Sequence, residues 1–335
     1  MTTGIPELLE ETAGAPAAGG AQQQEIAARS PLQLFWRQLR NDKVAMGAGI
    51  VVVLLVLMAI AAPLIVKIAG APAFDERDVG ALDPLRFGLP EGPSSQHLFG
   101  VTPQTGYDVF SRVVYGAQTS LEVAFLATGL SMVIGVTLGL LAGYYGGWID
   151  TLLSRLSDVV LAFPIFLLAL GLAASCTIPD SNGKTGCLGG AIQPGLPLVI
   201  LVIVISTWPY FARIVRGQVL SLREKEFVEA ARSLGASDSR IIFREILPNL
   251  TTTLIVYATL LIPSNILFEA ALSFLGVGVQ EPRPSWGKMI ADAVSVFDTA
   301  WWFMLFPGVA LLTTVLAFNL LGDGLQDAIN PRNRR

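Results

Sequence analysis

Six long runs without a charged residue constrain this chain more than any other feature. Each run reaches the roughly 20 residues that a helix rising 1.5 Å per residue needs to cross a hydrocarbon core about 30 Å thick. Because lipid cannot satisfy backbone polar groups, only helices and closed barrels span a membrane, and barrel strands are short and alternating. The sequence therefore predicts an all-α membrane protein with six transmembrane helices: 44–66, 123–149, 159–179, 185–212, 246–268 and 299–322.

The amino-acid composition also indicates a membrane environment. Hydrophobic residues make up 53% of the 335 residues and charged residues only 14%. A typical soluble domain has about 25% charged residues, so the lipid bilayer is the expected surrounding of this chain. The basic residues are dispersed over the loops and form no patch interleaved with aromatic side chains. Nucleic acid is therefore not an expected partner.

The positions of the basic residues predict the orientation of the spans. Cytoplasmic loops are enriched in Lys and Arg. If the amino terminus is cytoplasmic, 15 of the 22 Lys and Arg residues lie on the cytoplasmic side, and seven of these are in the loop between the fourth and fifth spans. We therefore expect both termini and that loop to be cytoplasmic.

The segments outside the spans differ in composition. Residues 1–29 are rich in Ala, Gly, Pro and Gln and are predicted to form a disordered cytoplasmic tail. Residues 30–43 place apolar side chains on one helical face, which is typical of an interfacial amphipathic helix; a cytosolic extension of the first span is the alternative. Residues 67–118 form an extracytoplasmic segment that is too long to be only a connector. Residues 322–335 are predicted to be a cytoplasmic carboxy-terminal tail.

The loop 217–247 is a charged island between two apolar spans. Four apolar residues in it recur at i, i+3, i+4 and i+7, which predicts a short amphipathic helix with one apolar stripe: Phe227, Ala230, Ala231 and Leu234. Gly235 then supplies a left-handed cap. Ser237 or Asp238 can cap a second helix over 240–247. The expected result is a helix, a tight turn and a helix in water.

This loop resembles the EAA loop of ATP-binding-cassette importer permeases, the cytoplasmic element that docks into the ATPase subunit. The resemblance rests on Glu229-Ala230-Ala231, on Gly235 and on Ile246-Leu247-Pro248. It implies that seven residues couple the chain to the ATPase: Glu229, Ala230, Ala231, Arg232, Leu234, Gly235 and Ala236. A solvated loop packed on its own bundle would explain the two helices but not the three motifs in register.

A wider resemblance, to the C-type permeases of dipeptide, oligopeptide and nickel importers, extends from about residue 97 to residue 332. It is carried mainly by four stretches: 143–150, 269–278, 284–287 and 318–325. The chain departs from the family pattern at four positions. Pro103 and Asn330 stand where the pattern has Asp, and Tyr107 and Gln118 stand where it has Arg.

That resemblance implies a type I importer fold, with a permease core over 119–321. It also implies a noncatalytic permease for di- or oligopeptides in the plasma membrane of a bacterium or archaeon. Nickel chelates, glutathione or another small solute are the alternative cargo. The implied partners are a second, B-type permease, two ATPase subunits that bind ATP and Mg, and an extracytoplasmic substrate-binding protein.

A stripe of glycines marks one face of the second span: Gly135, Gly139, Gly143 and Gly147. Small residues four apart let another backbone approach closely. Packing within the bundle is favoured over a seam with the partner permease. In the fourth span, Pro194, Pro197 and Pro209 are expected to bound or kink the helix.

Glu269 lies at the edge of the fifth span. An unpaired carboxylate at the bilayer centre would cost about 2.5 to 3.5 kcal/mol, so the side chain must face protein, water or a headgroup. A role in the translocation path or gate is one hypothesis. Pairing within the bundle is the other.

Cys176 and Cys187 fall in one predicted outer loop. Because that compartment is oxidising, a disulfide is favoured over two unrelated thiols. Closing a loop of that size would contribute roughly 3 kcal/mol of stability.

Several types of site are not expected in this chain. Asn182-Gly183-Lys184-Thr185 matches the end of a phosphate-binding loop, but Ile178 stands where the first glycine is required. His97 is the only histidine and has no ligand cluster at metal-binding spacing, so an outer-loop hydrogen bond is its expected role. No cofactor is predicted. A stand-alone secondary transporter or channel is the alternative class of function, and it would need more intramembrane ionisable residues than Glu269.

Overall fold

The computed structural model describes Trp36 and residues 38–83, 89–177, 186–187 and 192–329. Its helices in chain order are α1 Lys43–Ile60, α2 Ala62–Ile68, α3 Val109–Tyr145, α4 Gly147–Ala162, α5 Ile165–Thr177, α6 Leu196–Leu222, α7 Glu226–Ser233, α8 Asp238–Arg240, α9 Leu247–Phe274, α10 Trp286–Ala293 and α11 Trp301–Ile329. A π-helical turn, Ile241–Ile246, joins α8 to α9, and a 3₁₀ turn, Val294–Val296, follows α10. Two short antiparallel strands, β1 Leu82–Asp83 and β2 Leu89–Pro90, lie between α2 and α3. The predicted tail 1–29 lies outside the described residues.

The predicted all-α membrane fold is confirmed. Among the described residues, five helices are long and apolar enough to cross a membrane, and the number rises to six if the bent pair α4 and α5 is one broken span rather than a re-entrant loop. The prediction of a single third helix over 159–179 was wrong, because α4 ends at Ala162 and α5 leaves it at 81°. Pro164 explains the break, since proline lacks a backbone N–H and disfavours the helical conformation of the residue before it. Phe163 is accordingly extended, with φ −76° and ψ 128°.

The second span is longer than its apolar run predicted. α3 has 37 residues and begins at Val109 rather than at residue 123. Asp108 caps it by accepting a hydrogen bond from the backbone nitrogen of Ser111 at 2.8 Å. At 1.5 Å per residue, α3 is about 55 Å long and extends well beyond a hydrocarbon core. Two charged residues lie in the added part of α3: Glu122, which ends the apolar run in the sequence and pairs with Arg283 at 3.5 Å, and Arg112, which pairs with Glu281 at 2.7 Å.

The ends of other helices also differ from the predicted span boundaries. α1 ends at Ile60 and Pro63 opens α2, so the first predicted span is two helices. α6 begins at Leu196 rather than at residue 185, after Gly195 adopts a positive φ of 101°. The fifth predicted span, 246–268, continues to Phe274. The sixth, 299–322, continues to Ile329. Proline, glycine and burial decided these ends, and hydropathy did not.

α3 packs along α6 through the predicted glycine stripe. A methyl group at Gly135 would lie 2.5 Å from Phe211 Cβ, and one at Gly143 would lie 2.7 Å from Val219 Cβ. The backbones of α3 and α6 therefore approach more closely than side chains would allow. This confirms packing within the bundle for Gly135, Gly139 and Gly143. Gly147, the fourth residue of the predicted stripe, begins α4 instead, and a Cβ there would meet no atom within 4 Å.

The described part of the predicted interfacial segment is helical at Trp36 and over residues 38–41. Asp42 then interrupts the helix and caps α1, because its carboxylate accepts hydrogen bonds from the backbone nitrogens of Val44 and Ala45 at 2.9 and 3.0 Å. Leu39 is buried against Ala45 and Ala328. The segment thus lies against the end of α11 and is not a straight continuation of α1.

Candidate functional site

The loop between α6 and α9 forms an elbow, which we define as residues 223–246. Its first arm is α7, with Glu226 and Glu229 in the first turn and Arg232 in the last. Acidic residues near the amino end and basic residues near the carboxy end both stabilise a helix through its dipole. Gly235 ends the arm with φ 78°, and its nitrogen donates to the Arg232 oxygen at 2.9 Å. The predicted left-handed cap is confirmed.

The second arm differs from the prediction of a separate short helix over 240–247. α8, the π-helical turn and α9 run on without a break, so Asp238–Phe274 is one helix of 37 residues. Ser237 occupies the cap position, but its side chain makes no capping hydrogen bond. The Asp238 carboxylate instead accepts a hydrogen bond from the Tyr144 hydroxyl at 2.8 Å. The turn of the elbow is therefore connected directly to the fifth span.

One side of the elbow packs into the bundle. Val228, Ile241 and Ile246 are fully buried, in one cluster with Phe211 of α6 and Tyr144 of α3. Ala231 and Ala236 pack against the same cluster and are partly buried. Sequence reasoning missed Val228, although its i, i+3 spacing to Ala231 was a usable signal.

The other side of the elbow exposes apolar residues. Leu234 is 89% exposed, and Phe227 and Ala230 are also exposed. The predicted stripe is therefore divided, since only Ala231 among its four residues turns toward the bundle. The charged side chains of Glu229 and Arg232 are exposed beside this apolar face. Exposed apolar residues rimmed by charges are typical of a protein–protein contact.

Polar contacts fasten the helices next to the elbow. Arg223, at the end of α6, donates to the Gly143 carbonyl oxygen at 3.2 Å and so covers the carboxy end of α3. Arg216 Nη2 of α6 donates to Asp150 Oδ2 of α4 at 2.7 Å, and Arg213 pairs with Asp158 at 2.7 Å. Displacement of the elbow would therefore move α3, α4 and α6 together.

Glu269 lies inside the bundle and is fully buried. Its Oε2 accepts a hydrogen bond from the Ser120 hydroxyl of α3 at 3.0 Å, and its Oε1 accepts one from Ser273 at 2.7 Å. Ser285, which caps α10, donates to the Ser273 hydroxyl oxygen at 3.4 Å. The sequence left protein, water or a lipid headgroup as possible surroundings of the Glu269 side chain. The structure shows that protein surrounds it. The carboxylate joins α3, α9 and α10, and a role in the path or gate stays a prediction.

The structure joins Cys176 and Cys187 in a disulfide. The bond ties the end of α5, where Cys176 is fully buried, to the short described stretch 186–187. The backbone nitrogen of Gly186 also donates to the Cys176 oxygen at 2.7 Å. Residues 178–185, with the fragment that matches part of a phosphate-binding loop, lie outside the described residues.

Two polar positions between α2 and α3 have clear structural roles. The side chain of His97 is buried, and its Nδ1 forms a hydrogen bond of 2.9 Å with Asp108 Oδ2. This confirms the hydrogen bond expected of His97 in this segment. Tyr107, at a position where the family pattern has Arg, stacks against Arg112 at 4.5 Å and accepts a hydrogen bond from Arg77 at 2.9 Å. An aromatic ring thus separates two guanidinium groups there. Across the described chain, no group of three or more His, Cys, Asp or Glu side chains could hold a metal ion.

Comparisons with known proteins identify the class to which this fold and elbow belong. Residues 135–335 match the family "Binding-protein-dependent transport system inner membrane component", and residues 30–81 match the "N-terminal TM domain of oligopeptide transport permease C". The chain therefore belongs to the inner-membrane permease family of binding-protein-dependent ATP-binding-cassette importers. It is a multi-pass membrane protein.

Individual relatives are similar over nearly the whole chain. The dipeptide transport system permease protein DppC of Alkalihalophilus pseudofirmus is 41% identical over 92% of this chain and 93% of its own length. The glutathione transport system permease protein GsiD of Pectobacterium atrosepticum is 40% identical over 92% of this chain and 94% of its own. GsiD of Escherichia coli O6:K15:H31 is 42% identical over 91% of each chain.

A solved structure shows the same fold. An inward-facing conformation of the MetNI methionine ABC transporter superposes with a TM-score of 0.52 at 20% identity, over 66% of this chain and 97% of that chain. The predicted type I importer fold is confirmed.

Proposed function

We propose that this chain is one of two permease subunits in an ATP-driven importer of di- or oligopeptides. The exposed apolar face of the elbow carries the proposal, above all Leu234 at 89% exposure. An apolar face of this kind on a polar loop is stabilised when a partner covers it. We assign that place to a cytoplasmic ATPase subunit, which binds ATP and Mg, while this chain catalyses no reaction itself.

The proposed cargo is a peptide, because a dipeptide permease is 41% identical over most of the chain. Glutathione or another small solute is the second candidate, favoured by the similarity to glutathione permeases. A separate substrate-binding protein would deliver the cargo to the face opposite the elbow. A homologous B-type permease would complete the path.

The proposed orientation places both termini and the elbow in the cytoplasm. The seven basic residues in the loop between the fourth and fifth spans support it. An impermeant amine reagent applied to intact cells should then leave Lys225 in the elbow unmodified while modifying Lys67 at the end of α2. Modification of Lys225 from outside would contradict the orientation.

Coupling would follow from the contacts of the elbow. When ATP closes the two ATPases, the elbow moves with them, and the buried Val228 together with the Tyr144–Asp238 hydrogen bond transmits the movement to α3 and α6. Because a ligand shifts an equilibrium only by its difference in affinity for the two states, ATP must bind the closed arrangement more tightly.

Leu234→Asp tests the docking role. A carboxylate in the centre of the apolar face would be desolvated without a partner, so we expect copurification of the ATPase to fall at least tenfold. Ser239→Asp, an exposed change in the same elbow, should leave copurification unchanged. Normal ATPase binding and uptake in the Leu234 variant would contradict the proposal, and so would peptide uptake by vesicles that contain this chain alone.

A further inference from the structure

A cavity of about 430 Å³ opens between α4, α5, α6 and α9. The 81° bend between α4 and α5 lies at its edge, where Phe163 lines it. Tyr210 and Ser206 reach it from the middle of α6, and Ser264 and Asn265 reach it from α9. No charged side chain is among its lining residues, all of which belong to the described chain.

The polar groups of the cavity fall into two sets. Asn265 is buried and structural, since its amide donates to the Thr128 hydroxyl at 2.8 Å and accepts from Thr207 at 3.4 Å. Tyr210 and Ser264 are exposed, and neither hydroxyl has a hydrogen-bond partner among the residues that the structure describes. Tyr210 exposes 52% of its surface. Two exposed hydroxyl groups without a partner in the described part of the chain therefore line this cavity, on two helices that are long and apolar enough to span a membrane.

Hydrocarbon cannot satisfy such hydroxyl groups, so this face must meet water or polar groups. The opposite situation is seen on α1, where every exposed residue from Ile50 to Ile60 is apolar. That surface suits lipid or an apolar partner. The contrast distinguishes a concave face that carries hydroxyl groups from an exposed face of α1 that carries none.

We propose that this cavity is the chain's own part of the cargo path, with Tyr210 and Ser264 in contact with the passing peptide. The inference rests on the proposed function and specifies its cargo surface. Uncharged hydroxyl groups can hydrogen-bond the backbone amides that all peptides share, and the rings of Phe163 and Phe268 can pack against apolar side chains. Because no charged side chain lines the cavity, we expect it to discriminate little between peptides of different charge.

Cysteine labelling in the assembled complex tests the path. Tyr210→Cys, Ser264→Cys and, as a control in the exposed apolar face of α1, Leu54→Cys are treated with a membrane-impermeant methanethiosulfonate reagent in vesicles. The parent chain gives the background, because its two cysteines are bonded to each other. We expect rapid labelling at positions 210 and 264, at least tenfold faster than at position 54, with loss of uptake after labelling.

Thiols at 210 and 264 that are as unreactive as the one at 54 would overturn the inference, and so would labelling that leaves uptake intact. Uptake by the parent complex is measured in the same vesicles. If the parent complex transports no peptide, the proposed function fails. If the parent complex transports peptide but the thiols at 210 and 264 do not react, only this inference fails.

Introduced charge tests the chemistry of the cargo surface. In the Ser264→Asp variant, we expect the rate of Glu-Ala uptake to fall at least threefold relative to that of Lys-Ala, because the new carboxylate repels the anionic peptide. Ser264→Ala should keep the parent ratio. An unchanged ratio in the Asp variant would contradict contact between residue 264 and the cargo.

Discussion

At the scale of single residues, the elbow depends on one backbone conformation. Gly235 has φ 78°, and a Cβ added at this position would meet no atom within 4 Å. The requirement for glycine is therefore conformational and not steric. Residues in the left-handed region other than glycine cost about 1 to 3 kcal/mol, and β-branched side chains are the least suited to it.

Gly235→Val should shift the angle between α7 and α8 and uncouple ATP hydrolysis from transport. We expect uptake per ATP hydrolysed to fall several-fold in reconstituted complexes. Gly235→Asn is the matched control, because asparagine visits the left-handed region more readily. Unchanged coupling in the valine variant would count against the role of the elbow.

Glu269 poses a second question at this scale. Glu269→Gln retains an acceptor for Ser120 or Ser273 and should leave assembly and uptake near normal, because the parent side chain is buried away from solvent. Glu269→Leu leaves both hydroxyl groups without their acceptor, at about 1 to 3 kcal/mol for each buried group. We expect it to lower the thermal stability of the purified complex. Loss of uptake by the Gln variant at normal assembly would instead place Glu269 in the transport mechanism.

At the scale of helices, hydropathy predicted where spans exist but not where they break. It could not place the start of α3, since the charges of Glu122 and Arg112 interrupt the apolar sequence and their partners, Arg283 and Glu281, are far away in the sequence. In the elbow, the local sequence pattern predicted a helix end correctly, because it identified the capping glycine, Gly235. The π-helical turn Ile241–Ile246 had no sequence signal that we can name, and the burial of Val228 depends on tertiary packing.

The hydrogen bond between Tyr144 and Asp238 is the direct polar link from α3 to the turn of the elbow. Tyr144→Phe removes the donor and keeps the ring in its cluster. We expect ATP hydrolysis to persist while uptake falls two- to fivefold. Tyr145→Phe changes the neighbouring, half-exposed ring and should have no effect; equal behaviour of the two variants would rule out a specific role for Tyr144.

The cysteine pair anchors the end of α5. Alkylation of the native protein without reductant, followed by mass mapping, should recover Cys176 and Cys187 in one linked peptide pair. Closing the loop would contribute about 3 kcal/mol, so reduction should lower the melting temperature. Recovery of both residues as alkylated free thiols would show that the bond is not formed in the membrane.

At the scale of the whole molecule, the chain has three surfaces that differ in chemistry. The elbow presents Leu234 among charges, the middle of α1 presents only apolar groups, and the cavity presents the free hydroxyl groups of Tyr210 and Ser264. Each surface is suited to a different neighbour: an ATPase, the membrane and a peptide. In the proposed importer, the partner subunits and the membrane would cover these surfaces.

The unbroken helix Asp238–Phe274 has a mechanical consequence. It begins at the turn that an ATPase would push, and Ser264 lies 26 residues farther along, about 39 Å away at 1.5 Å per residue. If the π-helical turn and Pro263 do not absorb the movement, a pivot of about 10° near the elbow would swing the Ser264 hydroxyl sideways by about 7 Å. A small rotation at the elbow would thus widen or narrow the proposed passage by about the width of a peptide chain.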